Sequence, residues 1–174
     1  LNGRTIREKG FNSNVIHQGM YVKSDLRRSS KAITDLDHIR SILETAPVGV
    51  LSLCKEDTPY CIPVNFYFCN ETVYIHCAKE GEKLSYLRVN PRVCFLVVTP
   101  VDVPEEECHG AMNYESVLCF GNAVFSDTSP RDILERLGEK YGTCSGVTEE
   151  DCQRTAMITI AVEQVSGKRG YSQE

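Results

Sequence analysis

At 174 residues the chain is long enough for one domain with a hydrophobic core and too short for two ordinary domains plus a linker. Hydrophobic residues make up 41% and charged residues 25%, a balance that excludes wholesale disorder. Charge is uneven: residues 1–34 carry seven Lys or Arg against two acids, and the remainder carries twelve against twenty-two. An acidic body argues against a nucleic-acid groove, which needs clustered Lys and Arg. No apolar run approaches the ~20 residues that cross a bilayer, and the N-terminus lacks the apolar core of a signal peptide, so the expected compartment is the cytoplasm.

Residues 1–33 show no sustained apolar period and are read as an extended, partly disordered basic arm, ahead of a single domain over 34–174. In "TDLD", Thr34 is placed to cap a helix with Asp37 three residues on, and Leu36, Ile39, Ile42, Leu43 and Ala46 repeat at helical spacing until Pro47. The period then changes to two. "VGVLSLC" (48–54), "YCIPVNFYF" (60–68) and "VYIHCA" (73–78) read as a three-stranded antiparallel meander, with Pro63 marking an edge or a bulge. A short helix over "GEKLSYLRVN" ends before Pro91, followed by a strand at 92–99, a long acidic loop, and a strand at 115–127 with Gly121 as a bulge. A helix at 129–142, with Pro130 at its start and Gly142 past its end, precedes a last strand at 155–169. The fold class is mainly β (α+β): a six-stranded antiparallel barrel with peripheral helices.

Nine cysteines include no C-x-x-C, and six of them (Cys54, Cys61, Cys69, Cys77, Cys94, Cys119) lie in or beside β-prone runs. That placement suits small, buried, reduced thiols. Cys108 beside His109 is a lone pair, short of the four ligands zinc wants, so no metal site is expected.

Chemistry concentrates in "YIHCAKEGEKLSY" (74–86), where a strand ends in His76 and Cys77 and a helix opens at Gly81 and Lys83. A helix start offers unpaired N–H groups and partial positive charge, and glycine lets an anion approach closely. Lys83 places a cation against the dipole, which a bound phosphate would justify; a solvated lysine is the plain alternative. Strand alternation sends Cys77 to the face opposite His76, as a structural thiol.

Five segments, "APVGVLSL", "PYCIPVNFYF", "VYIHCAKEGEKLSYLRVNPRVCF", "YESVLCFGNAV" and "TAMITIAVEQVSGKR", occur in an order and spacing that resembles the pyridoxamine 5′-phosphate oxidase-like flavoproteins, in particular their nitroimidazole-resistance branch, over about residues 35–169. The resemblance implies a split β-barrel homodimer holding FMN between subunits. By its His-x-Ala-x-x-Gly-x-Lys motif, Lys83 would bind the FMN phosphate with help from His76, Cys77, Ala78, Gly81 and Glu82. Pro63, Val64 and Asn65 would line the flavin ring, and Tyr114, Glu115 and Ser116 would approach it from the partner subunit. His76 would contact substrate as a proton donor or an anchor. The implied activity is an FMN-dependent oxidoreductase that takes electrons from a reduced nicotinamide, NAD(P)H, or another donor and passes them to a small acceptor, nitroaromatics among the candidates. The alternatives it leaves open are a heme-binding barrel with His76 or another histidine as axial ligand and a flavin-binding redox module without turnover.

Overall fold

The structure is a computed structural model. It describes residues 20–23, 27–102, 113–143 and 146–171, so the first part of the arm and the acidic loop with Cys108 and His109 lie outside the described residues. In chain order the elements are β1 (Tyr21–Val22), a 3-10 turn at Ser29–Lys31, β2 (Ala32–Ile33), α1 (Leu36–Thr45), β3 (Gly49–Lys55), β4 (Thr58–Val64), β5 (Tyr67–Cys69), β6 (Thr72–Cys77), α2 (Glu82–Val89), β7 (Arg92–Pro100), β8 (Tyr114–Ser126), α3 (Arg131–Tyr141), α4 (Glu149–Arg154) and β9 (Ala156–Arg169).

The strands form one sheet in the order β4-β3-β7-β8-β9-β6-β5, to which β1 and β2 add by pairing with β9. All pairings are antiparallel except that of β1 with β9. β4 and β5 stand at opposite ends of this order, yet only Asn65 and Phe66 separate them in the chain. The sheet therefore curls on itself and leaves a seam at that joint, the split expected of the barrel.

Nine strands replace the expected six. Asn65 and Phe66 leave the ladder and divide the expected 60–68 strand into β4 and β5. The arm contributes β1 and β2; Met20, just before β1, and Ile33, within β2, are buried in the main core. Asp35, rather than Thr34, caps α1, its carboxylate accepting from the N–H groups of Asp37 and His38. Pro63 lies on an edge strand, where its missing N–H costs no ladder bond. At Gly121 the β8–β9 register shifts, as the lone glycine suggested.

Alternation fills the barrel. Leu51 and Leu53 of β3, Val93, Phe95 and Val97 of β7, Val117 and Cys119 of β8, and Ile158 and Ile160 of β9 are buried in one cluster, closed at one end by Ile39, Ile42 and Leu43 of α1. Each large side chain of this kind contributes about 1.5–3 kcal/mol by leaving water. Phe95 presses so closely on Gly49 that an added Cβ there would lie 2.0 Å from its ring. A second small cluster joins Ile133 and Leu137 of α3 to Met157 of β9. Among the described residues, no helix is long and apolar enough to cross a membrane.

The opposite face of the same strands is also apolar. Pro63, Val50, Leu96 and Leu118 stand in one row across β4, β3, β7 and β8, with Val98 and Phe120 in the rows beside it. Val50, Leu96, Leu118 and Phe120 are half-buried, and Val98 is 40% exposed.

Candidate functional site

The 74–86 segment folds as a strand-to-helix corner. β6 alternates so that Val73, Ile75 and Cys77 are buried while His76 is exposed on the other face. Cys77 is a core thiol whose pKa burial pushes up, which makes it unreactive. Ala78, Gly81 and Glu82 are exposed, and Gly81 adopts φ +129°, a conformation that L side chains rarely take. Gly81 is the N-cap of α2 and supplies no side chain, whereas α1 is capped by Asp35 and α4 by a reciprocal Thr148–Asp151 box. Among the described residues no side chain caps the start of α2, where the Gly81 carbonyl accepts from Leu84 N–H at 3.2 Å and Ser85 N–H at 3.3 Å.

Lys83, half-exposed in that uncapped first turn, has no carboxylate in ion-pair reach among the described residues. It lies close enough to His76 that partial loss of water around the surface imidazole and then the Lys83 charge both lower the His76 pKa below its ordinary 6.5. At neutral pH His76 is therefore mostly uncharged and able to accept a hydrogen bond or a proton. A glycine-started helix end, a lysine and an imidazole stand together at this corner, groups of the kind that can hold a phosphate-sized anion, and an anion bound there would raise the histidine again.

The β5–β6 ladder ends at Tyr67↔Tyr74, so Asn65 and His76 each lie two residues beyond the same end of that pairing. Asn65 is exposed in the gap after β4, Pro63 is exposed opposite Val50, and Val64 is half-buried opposite Gly49. The edge segment and the His76–Lys83 corner thus both lie beyond the same end of the β5–β6 pair.

Tyr114 and Ser116 do not join them. Ser116 and Ser126 are ten residues apart on β8, and Met157, the β9 partner of Ser126, is also the partner of His76. At about 3.3 Å per residue that is about 33 Å of strand. Both Tyr114 and Ser116 are half-buried, and the Ser116 hydroxyl donates to the Lys168 carbonyl at 3.3 Å. Glu115, between them, turns inward and is 8% exposed. It accepts from the Tyr171 hydroxyl at 2.7 Å and is bonded to His38 Nε2 at 2.9 Å. Burial alone would raise its pKa, but these two bonds and the nearby charge of Arg169 outweigh burial and hold the carboxyl below its usual range. Sequence reasoning assigned nothing to His38. The available signal was Glu115 itself, a carboxylate in phase with the inward Val117 and Cys119, which needs partners to be buried.

Among the described residues, no group of His, Cys, Asp and Glu is arranged to hold a metal ion, and seven cysteines are free thiols, three of them (Cys77, Cys119, Cys152) buried.

This architecture has known counterparts. A search of curated proteins gives no match. Among solved structures, the chain is similar to a Bacteroides thetaiotaomicron protein named for 5-nitroimidazole antibiotic resistance, at 26% identity and a TM-score of 0.71 over 82% of this chain and 90% of that one. It is similar to a Listeria innocua protein named as a pyridoxamine 5′-phosphate oxidase at 27% identity and a TM-score of 0.53, over 74% and 94% of the two chains. The fold also matches a Mycobacterium smegmatis protein named for binding FAD and heme, at 18% identity and a TM-score of 0.63, over 83% and 76%. The family described as pyridoxamine 5′-phosphate oxidase matches residues 35–169, the whole span from the cap of α1 to the last residue of β9. The chain belongs to that pyridoxamine 5′-phosphate oxidase family, on the side of its nitroimidazole-resistance relatives.

Proposed function

We propose that the protein is an FMN-dependent oxidoreductase that works as a homodimer and reduces a small acceptor, nitroaromatic compounds being the candidate class, with a reduced nicotinamide as a candidate donor. The observation that carries this reading is the uncapped start of α2, where Gly81 and Lys83 offer backbone N–H groups and a cation with no carboxylate partner among the described residues. A flavin phosphate has the charge and size that such a seat accepts. Lys83 and the main chain of Ala78–Glu82 would hold the phosphate, and Pro63–Asn65 would lie along the ring. His76 would anchor the acceptor or exchange a proton with it. When bound, the flavin supplies the redox chemistry, and the protein supplies position and electrostatics.

Two features support the dimer. Tyr114 and Ser116 lie too far along β8 to reach His76 of their own chain. Among the described residues, the apolar outer face around Val50, Leu96 and Leu118 is only half-buried, and a second copy would both bury it and bring the Tyr114–Ser116 segment to the cleft.

The test is the visible absorption of the purified protein before and after FMN addition and removal of excess, followed by FMN titration of Lys83→Ala and Lys79→Ala. Flavin absorbance should be retained, and Lys83→Ala should weaken binding by about 1.5–3 kcal/mol, the worth of a charge-assisted contact, with Lys79→Ala near wild type. Equal affinities in the two variants would sink the phosphate assignment. A protein that stays colourless with FMN but takes up heme would replace the flavin with the heme alternative.

A further inference from the structure

The seam between β4 and β5 is held from behind. Phe66 sits where the ladder is interrupted, so its N–H and C=O have no strand partner, and a buried peptide group left unpaired is costly. One side chain satisfies both: the Tyr141 hydroxyl accepts from the Phe66 N–H at 2.9 Å and donates to the Phe66 C=O at 3.1 Å. The Phe66 ring is fully buried and meets Phe95 edge-on, with centroids 4.9 Å apart. Lys140 covers that ring with its ammonium 3.9 Å from the centroid, buried and without a hydrogen-bond partner among the described residues. Lys140 and Tyr141 are the last two residues of α3, which Gly142 stops in the left-handed conformation. The same helix packs Ile133 and Leu137 on Met157, the strand partner of His76.

α3 therefore holds both the chain entering β5 and the β9 partner of His76. On one side it fixes the main chain next to Asn65, and on the other it supports the strand residue opposite His76.

We propose that Tyr141 is a positioning residue for the flavin site: by clamping the Phe66 main chain, the last turn of α3 sets where Pro63, Val64 and Asn65 stand relative to His76. The proposal rests on the flavin reading for its ligand and on the clamp alone for its geometry, so the two can fail separately.

The experiment compares wild type, Tyr141→Phe and Thr148→Ala by amide hydrogen exchange without FMN and by FMN titration. Tyr141→Phe keeps the ring and removes only the hydroxyl; Thr148→Ala removes the α4 cap away from the seam and serves as a matched loss of general stability. In Tyr141→Phe, exchange at Phe66 should rise at least tenfold while β7 and β8 amides stay protected, and FMN should bind three- to tenfold more weakly. Thr148→Ala should leave both readouts at wild-type values. Lys140→Met, which keeps the stem over Phe66 and removes the charge, should bind FMN within twofold of wild type.

Unchanged exchange at Phe66 in Tyr141→Phe would overturn the clamp. Faster exchange with unchanged FMN affinity would reduce Tyr141 to a purely structural residue and overturn the positioning role, as would equal weakening of FMN by Thr148→Ala. Wild-type protein that takes no FMN would remove the ligand reading and the positioning role with it, while the exchange result would still decide whether the clamp exists.

Discussion

Lys140 and Glu115 are two buried charges with opposite consequences. Burial lowers the Lys140 pKa from 10.5 to about 8. Between those values the unfolded chain holds more protons than the folded one, so this group makes stability rise with pH from about 8 to 10.5, and its penalty is full below 8. Buried thiols and phenols such as Cys77 and Tyr67, pushed up by burial, act in the other direction over the same range. The clean measurement is therefore the difference in urea midpoint between Lys140→Met and wild type, which should favour the variant at pH 7 and shrink toward pH 10.5. Glu115 has the reverse sign. Its carboxyl is held low in the fold, so its contribution is present above the ordinary carboxyl range and fades as pH falls through the folded value. Glu115→Gln should lose about 1–3 kcal/mol at pH 7, the cost of weakening hydrogen bonds to a buried charged group, and approach wild type in acid. A constant loss across pH would mean that shape, not charge, matters at this site.

Two glycines show how elements tolerate change for different reasons. A Cβ on Gly121 would lie 2.1 Å from the Ala161 carbonyl oxygen, main chain that cannot step aside within a paired strand. Gly142 has open space around it but a φ of +68°. Gly121→Ala should therefore cost more than about 4 kcal/mol or prevent folding, and Gly142→Ala only the left-handed penalty of about 1–2 kcal/mol. Denaturation curves of the two variants should show this order; similar losses would mean that β8 and β9 can slide apart at the bulge. The Pro130 and Gly142 punctuation of α3 was legible in the sequence because it is local. α4 was not, because six residues of mostly charged side chains show no apolar period; only Thr148 and Asp151, three apart, announced its cap.

At the scale of the whole molecule, the outer sheet face and the two ends of β8 make one prediction. Leu118→Asp, at the β8 end of the apolar row, should yield a monomer in size exclusion with light scattering. It should keep its β-sheet circular dichroism and lose most FMN affinity together with the dimer. A dimer that survives this substitution would place the subunit contact on another face, and a wild-type monomer that binds FMN tightly would remove the need for a partner's Tyr114 and Ser116.

The sequence by itself determined the six main β runs, an edge or a bulge at Pro63, the bulge at Gly121 and the corner from His76 to Lys83, since each rests on neighbours within a few residues: alternation, a missing N–H, a missing Cβ, a helix start. The branch of the family was legible for a related reason, as five motifs keep their order and spacing. Tertiary structure alone decided that Asn65 and Phe66 break the second strand, that Met20 and Ile33 of the arm join the core, and that His38 and Tyr171 meet on Glu115. It also decided that Tyr141 replaces the lost ladder at the seam. These pairings join residues 51 to 77 or more positions apart, or depend on where a curled sheet fails to close, and no local period encodes the partner that a buried polar group will find.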